Sequence, residues 1–456
     1  MNYRDFINSK VEEVKSTGFD PTEINDKLFD FQRDIVRWAL QKGKAAIFAG
    51  TGLGKTLMQC EWARSVCKHE QGNVLILAPL AVSNQTVNEA AKFGIKVNYC
   101  KGTEDVKQGI NITNYERLDK FDASDFAGVV LDESSILKAL SGKTKQEIID
   151  KFYKTPYKLA CTATPSPNDY MELGNHSEFL GVMKSKEMLA MYFVHDSGDA
   201  SKWRLKGHAV NRFWEWVASW AVMLTRPSDI GYDDDRYNLP ALRIHQIVVE
   251  SETVTETLFP VEAKTLKERQ TARRNSIEER AKKCAELCDE GDQWLIWCNL
   301  NDEGEALRKS ISGSIEVRGS DSVEEKEKNL NGFSEGRVKV LITKPSIAGF
   351  GMNWQNCNKM AFVGLSDSFE QYYQAVRRCW RFGQEKPVDV YIITADTEGA
   401  VKANIEKKER AFEQMQQGMI AATQELTRKN IGSKTTKSQK HTPDCKMILP
   451  EWIKGA

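Results

Sequence analysis

The chain has no apolar run of membrane-spanning length, no Cys-x-x-Cys pair, only 6 histidines and no net formal charge. Each absence removes a class of function. Without a long apolar run there is no spanning helix to expect, and the opening residues lack the basic-then-apolar pattern of an export signal. The expectation is a cytoplasmic protein, of a bacterium or a phage-infected host, with no membrane partner. The 10 cysteines are scattered. Cys284 and Cys288 share a helical face without histidines at ligand spacing, which argues against zinc and for reduced thiols. Lys and Arg (64) balance Asp and Glu (64), so overall charge gives no argument for a polyanionic partner, although a local basic groove would suffice for one. What remains is 456 residues, 41% hydrophobic: too long for one core, and expected to form two or three domains.

The most informative stretch is Ala49-Gly50-Thr51-Gly52-Leu53-Gly54-Lys55-Thr56. It follows Lys44-Ala45-Ala46-Ile47-Phe48, of strand type, and precedes the helical Leu57-Met58-Gln59-Cys60-Glu61-Trp62-Ala63. Glycines between a strand and a helix let backbone N–H groups turn inward onto a phosphate, and the helix N-terminus adds positive potential. Residues Gly50, Thr51, Gly52, Leu53 and Gly54 are the candidate cradle. Lys55 is placed to reach the β- and γ-phosphates of ATP, and Thr56 to ligate Mg²⁺. Ala49 stands where the general pattern has its first glycine. Upstream, Gln32 offers the donor and acceptor needed to read an adenine edge, while Ile35, Trp38 and Ala39 have the spacing of a buried helix face.

Buried parallel strands read as continuous apolar runs. Such runs occur at Asn73–Ala78, Gly128–Leu131 and Lys158–Cys161, with shorter strands near Val97–Cys100 and Ile110–Thr113. The Gly128 run ends in Asp132-Glu133. At the C-terminal end of a strand in such a sheet, Asp132 is positioned to hold Mg²⁺ through water, and Glu133 to orient and deprotonate the attacking water. A second series follows at Gln293–Trp297, Val338–Thr343, Met360–Val363 and Val388–Ile393, with helices at 302–311 and 369–379. Between the two series, periodicity weakens and Trp203, Trp214, Trp216 and Trp220 read as core anchors. Arg378 and Arg381, three apart, can point together across a domain interface toward a developing phosphate charge. The expected fold is α/β: two tandem RecA-like P-loop domains with parallel sheets and a helical connecting region. The boundaries are an N-terminal helical extension (1–27), a first domain (28–180), a connecting region (181–290), a second domain (291–397), and a helix with a basic, disordered tail (398–456).

Taken in order, Phe31-Gln32, AGTGLGKT, Leu77-Ala78-Pro79-Leu80, LDESS, CTATPSP, Ala348–Asn353 and QAVRRCWRFGQ resemble the superfamily-two helicases, most of all the Swi/Snf-like DNA translocases. MLTRPSDI with Asn238-Leu239-Pro240 is similar to that family's connecting region. The resemblance implies an ATP- and Mg²⁺-dependent motor of compact phage type. Its implied partner is nucleic acid, double-stranded or branched DNA, with replication or recombination proteins as further partners. It implies that Thr162 and Thr164 couple the nucleotide state to the track, that Gly351 and Asn353 face the nucleotide, and that Arg378 and Arg381 are arginine fingers. Ser134-Ser135 replaces the family's usual Ala-His or Ala-Asp, leaving a serine to hydrogen-bond Gln374. Lys344-Pro345-Ser346 also departs from the family's Ser-Thr-basic run. The competing readings are an RNA motor, a P-loop kinase, and an ATP-dependent clamp without processive unwinding.

Overall fold

The computed structural model describes residues 17–79, 82–138, 142–167, 169–196, 199–234, 237–250, 274–288, 291–348, 352–365, 368–396 and 399–431. Most of the expected N-terminal helix, and Leu80, Gly349, Phe350 and Gly351, lie outside these residues. So does the tail from 432 onward.

Helix α1 (Asp30–Lys42) leads into β1 (Lys44–Ala49), the phosphate-loop sequence and α2 (Lys55–Glu70). Alternation continues through β2 (Val74–Ala78), α3 (Ser83–Lys92), β3 (Val97–Tyr99), β4 (Ile110–Asn114), β5 (Gly128–Asp132), α4 (Lys143–Lys151) and β6 (Tyr157–Thr162). Helices α5 (Leu173–Leu180) and α6 (Ser185–Tyr192) come next, then the antiparallel pair β7 (Phe193–Asp196) and β8 (Asp199–Leu205). Helix α7 (Val210–Ala218) leads into β9 (Ala221–Leu224). Seven strands form one parallel sheet in the order β3-β4-β2-β5-β6-β1-β9. Successive side chains of a strand point to opposite faces. In β1, accordingly, Ala45, Ile47 and Ala49 enter one core while Ala46 and Phe48 enter the other. Helices cover both faces, so the run is apolar throughout.

The second sheet takes β10 (Leu242–Val249) and, after α8 (Ile277–Leu287), β11 (Trp294–Trp297). Helix α9 (Asn301–Ser310), β12 (Ile315–Val317), α10 (Val323–Ser334), β13 (Val340–Thr343) and the single turn α11 (Pro345–Ala348) follow. Last come β14 (Lys359–Phe362), α12 (Phe369–Val376), β15 (Val388–Ala395) and the 33-residue α13 (Gly399–Ile431). Strand order is β10-β15-β14-β11-β13-β12, again parallel. The architecture is therefore two parallel α/β sheets, as the sequence pattern indicates.

Three expectations need correction. The stretch 181–290 is not simply helical: it donates β9 to the edge of the first sheet and β10 to the edge of the second, and it carries the β7–β8 hairpin. Its short strands were masked by the tryptophans, of which Trp214, Trp216 and Trp220 are buried anchors. The helix expected over 369–379 ends at Val376, where the bonding tightens to three-residue turns such as Arg378 N–H to Ala375 O at 3.2 Å. Disorder was expected from Arg428, yet α13 runs on to Ile431, and Arg428 Nη2 donates to Ser228 O at 3.0 Å. Among the described residues no helix is long and apolar enough to cross a membrane, and the cysteines are all unpaired.

The second domain closes on a buried ion pair. Arg280 on α8 and Glu303 on α9, both fully buried, pair at 2.9 Å. Glu303 Oε2 also accepts the Asn299 and Leu300 N–H groups at 2.7 and 2.9 Å, which caps α9. Removing one partner strands the other as an uncompensated buried charge. Arg280→Ala is expected to lower stability by about 3–5 kcal/mol, read as a reduced denaturant midpoint.

Candidate active site

Strands β5, β6 and β1 are neighbours, so their C-terminal ends bring three segments to one sheet edge. These are residues 50–54, Asp132-Glu133 and Thr162-Ala163-Thr164. The loop owes its curl to Gly52 at φ 90° and Gly54 at φ 79°, backbone states closed to most side chains. A Cβ on Gly54 would lie 2.3 Å from Gln32 Nε2, and one on Gly52 would lie 2.9 Å from the Phe382 nitrogen of the second domain. Gln32 is buried. Its Oε1 accepts from Phe29 N–H at 3.0 Å and its Nε2 donates to Leu53 O at 2.9 Å. In this conformation the amide ties the start of α1 to the phosphate loop, with one N–H and one oxygen lone pair outside these two bonds.

Lys55 and Thr56 open α2 directly after the loop. Lys55 Nζ donates to the carbonyls of Ala49 and Gly50 at 2.9 and 3.2 Å. Burial lowers its pKa, and the negative charges of Glu133 and Asp132 oppose that shift. Asp132 is buried, and burial together with Glu133 raises its carboxyl to about 7. Glu133 has φ 55°, in the left-handed region that non-glycine residues rarely enter. The turn aims its carboxylate back over the sheet edge, where Oε2 accepts from Thr162 Oγ1 at 3.3 Å. Thr162 Oγ1 in turn accepts from Thr164 N–H at 3.1 Å.

From the second domain, Arg378 is buried and held on three sides. Its Nε donates to Gln374 O at 2.9 Å, its Nη2 to Gln374 Oε1 at 2.9 Å, and its Nη1 to Met352 O at 3.3 Å. Burial and the like charge of Arg381 bring it down to about 10, against the pull of Glu133 and Asp132. Arg381 Nη1 shares the Met352 carbonyl at 3.3 Å. Burial lowers its pKa as well, opposed by Glu89 and Glu133 of the first domain. The two arginines thus sit in the field of the carboxylates that neighbour Lys55. Asn353 reaches the same cleft, where its Nδ2 donates to Glu89 Oε1.

Ser134 does not serve Gln374 as expected. Its Oγ pairs with His176 Nε2 at 3.1 Å, and burial holds His176 at about 4, a neutral ring. Gln374 Oε1 accepts instead from Arg378 Nη2 at 2.9 Å.

Several contributors had no sequence signal. Tyr115 donates to Asp132 O at 2.7 Å, the Gln59 amide lies against Asp132, and Tyr237 stacks over Phe382 at 4.9 Å. A cleft of about 280 Å³ beside Gly50, Thr51 and Leu53 is walled by these two rings, Arg377 and α13.

The residues present suit a magnesium nucleotide. Thr51 Oγ1, Thr164 Oγ1, Asn353 Oδ1 and Gln374 Nε2 are buried with no hydrogen-bond partner among the described residues. Asp132 and Glu133 together carry more negative charge than Lys55 alone balances. Among the described residues there is no cluster of three or more His, Cys, Asp or Glu that would cage a metal. Mg²⁺ takes few protein ligands and completes its shell with phosphate and water, so the Thr56 hydroxyl and the Asp132 carboxylate are the oxygen donors that would hold it.

Residues 23–167 match the family model "Type III restriction enzyme, res subunit", and residues 279–383 match "Helicase conserved C-terminal domain". No curated protein matches the chain. Among solved structures, the chain is similar to S. cerevisiae Dbp5 bound to RNA and ADP BeF3: 12% identity, 86% of this chain and 93% of that one, TM-score 0.55. It is also similar to a Sulfolobus solfataricus SWI2/SNF2 ATPase core in complex with dsDNA: 18% identity, 90% and 98% coverage, TM-score 0.42. Fold and site define a two-domain P-loop ATPase. With both family models matched in order, the chain belongs to the superfamily-two helicases and is an ATP-hydrolysing enzyme.

Gly54→Ala tests the loop directly. The methyl group meets Gln32 at a φ that alanine disfavours by roughly 1–2 kcal/mol. The expected outcome is an ATP affinity at least about tenfold weaker, since 1.4 kcal/mol is a decade, measured by titration of a fluorescent ATP analogue.

Proposed function

We propose that this ATPase moves along DNA, with hydrolysis made dependent on closure of its two domains. The observation that carries the reading is the approach of the two domains at the phosphate loop: a Cβ on Gly52 would lie 2.9 Å from the nitrogen of Phe382, the residue after Arg381. Arg378 and Arg381 are thereby brought toward the carboxylates beside Lys55, which oppose the lowering of their pKa by burial. A kinase would need one such domain and a lid; a ring of charge divided between two sheets makes closure part of the chemistry.

In this reading the N–H groups of residues 50–54 and Lys55 Nζ bind the phosphates, Lys55 leaving the Ala49 and Gly50 carbonyls to do so. Thr56 and Asp132 hold Mg²⁺, which when bound draws charge from the phosphate oxygens. Glu133 Oε2 orients the attacking water and accepts its proton. Arg381, which donates one hydrogen bond among the described residues, to Met352 O, is freer to swing to the γ-phosphate than Arg378, which donates two to Gln374 and one to Met352 O. Thr162 and Thr164 carry the state of Glu133 toward the track. The order of motifs favours a Swi/Snf-like motor on duplex or branched DNA. RNA is the alternative, and the family matches leave the two level.

Lys55→Ala should weaken nucleotide binding and abolish turnover, whereas Glu133→Gln should bind ATP normally and not hydrolyse it. Arg381→Ala should keep ATP affinity and lose about 10³-fold in stimulated turnover, the range of arginine fingers. Parental rates in both Arg381→Ala and Arg378→Ala would remove the two-domain motor.

Turnover measured without nucleic acid, and with single-stranded, duplex and forked DNA and RNA, assigns the track. Stimulation by duplex or forked DNA is the expected result, falling linearly in log–log form as salt rises because phosphate contacts release counterions. Stimulation by RNA alone would transfer the motor to RNA.

A further inference from the structure

Helix α5 carries two adjacent polar side chains, Asn175 and His176, that are fully buried and that the chemistry described above does not use. Both reach the short helical turn Ser134–Lys138 that follows Glu133. Asn175 Nδ2 donates to Leu137 O at 2.8 Å, toward the far end of the turn. His176 takes the near end, where its Nε2 lies 3.1 Å from Ser134 Oγ. Its Nδ1 faces Glu172 O at 3.4 Å. A carbonyl can only accept, so the ring proton is assigned to Nδ1. Nε2, bare in the neutral ring that burial enforces, then accepts from the Ser134 hydroxyl. The same ring stands edge-on to Phe48 of β1, centroids 5.0 Å apart, two residues before Gly50. One side chain thus touches both the strand that enters the phosphate loop and the turn that leaves Glu133, which lie on either side of β6.

We propose that His176 is a positioning residue for ATP hydrolysis: through Ser134 it fixes the left-handed turn that aims Glu133 at the attacking water. Glu133 stands at φ 55°, a backbone state that relaxes unless its surroundings hold it. Ser134 is the place for such a hold, because its nitrogen belongs to the peptide unit that ends Glu133. The serine side chain is short, so its bond to a ring packed against Phe48 ties that backbone closely to a fixed point. The bond between Thr162 Oγ1 and Glu133 Oε2, at 3.3 Å, orients the carboxylate but leaves the backbone untouched. At its other end the turn carries Lys138, which pairs with Glu370 across the cleft. With His176 gripping the near end, Glu133 keeps its aim whether that pair is made or broken.

This inference rests on Glu133 serving the water, as proposed above, and the test keeps the two ideas apart. His176→Phe retains a ring against Phe48, changes no charge and removes the acceptor. The expected result is a kcat about ten- to hundredfold lower, the effect of misplacing a reacting group by about an ångström, with unchanged affinity for a fluorescent ATP analogue. His176→Gln, whose Oε1 can accept from Ser134, should recover most of the rate. Ser134→Ala should lower kcat to the same extent, and adding His176→Phe to it should lower it no further, since both cut one bond. An unchanged kcat in His176→Phe, an equal loss of affinity and kcat, no recovery in His176→Gln, or losses that multiply in the double variant would each overturn the proposal. If Glu133→Gln itself hydrolyses ATP at the parental rate, it is the assignment of Glu133 that fails instead. Thermal midpoints follow folding in every variant. Should His176→Phe not fold, Ser134→Ala must lower kcat at unchanged affinity, or the proposal falls.

Discussion

Buried charge of both signs, divided between two sheets, is the constraint on which this structure depends. Lys55, Asp132 and Glu133 stand at the C-terminal edge of one sheet, and Arg378 and Arg381 answer them from the other. Neither group is comfortable alone. Asp132 is raised to about 7 beside Glu133, and Arg378 is brought down to about 10 by burial and its cationic neighbour. Each set lowers the electrostatic cost of the other only when the domains approach, so these charges draw the cleft together. In the proposed function the phosphates of ATP would enter between them as a third, mobile set.

Local strain serves this arrangement. Glu133 leaves β5 through a left-handed turn, a state that a side chain holds only when its surroundings over-determine it. Here the surroundings are Tyr115 on the Asp132 carbonyl, Thr162 on the Glu133 carboxylate and His176 behind Ser134. Each comes from a different part of the first domain. Ser134 is anchored inward, and the buried neutral histidine makes that anchor a hydrogen bond without charge.

How much of this was legible in the sequence follows from the range of each interaction. The phosphate loop, and the place of Asp132-Glu133 at the end of an apolar run, are set by neighbours in the chain, and the alternation of apolar runs with helices defined both sheets. The edge strands β9 and β10 were not readable, because each is completed by strands distant in sequence: Ala46 pairs with Ala221, and Leu242 with Val388. Their short runs carry no period of their own. Gln32 illustrates an intermediate case: its importance was evident from its place before the loop, but its bonds to Phe29 and Leu53 depend on the close approach that Gly54 permits. Glu89 had no signal at all. One glutamate on an amphipathic helix reads as a solvated face, and its cross-cleft partner, Asn353, comes from the second domain.

Helix α13 adds the last element of the design. Phe412 packs into the second sheet's core against Phe369 and Tyr373, Met419 packs into the first sheet's core, and Met415 touches both. Ser166, two residues beyond Thr164, contacts Met415 and Met419. Among the described residues, the side-chain hydrogen bonds that join the cleft's two walls are the polar pairs Asn84–Glu327, Glu89–Asn353 and Lys138–Glu370, beside the contact of Phe382 with Gly52 and Tyr237. Polar pairs exchange partners with water at little net cost, whereas apolar anchors do not. A cleft faced with polar groups can therefore open and reseal, while α13 keeps each domain fastened to the other and to the segment carrying Thr162 and Thr164. Motion confined in this way is hinged rather than free, because α13 enters one core through Phe412 and the other through Met419.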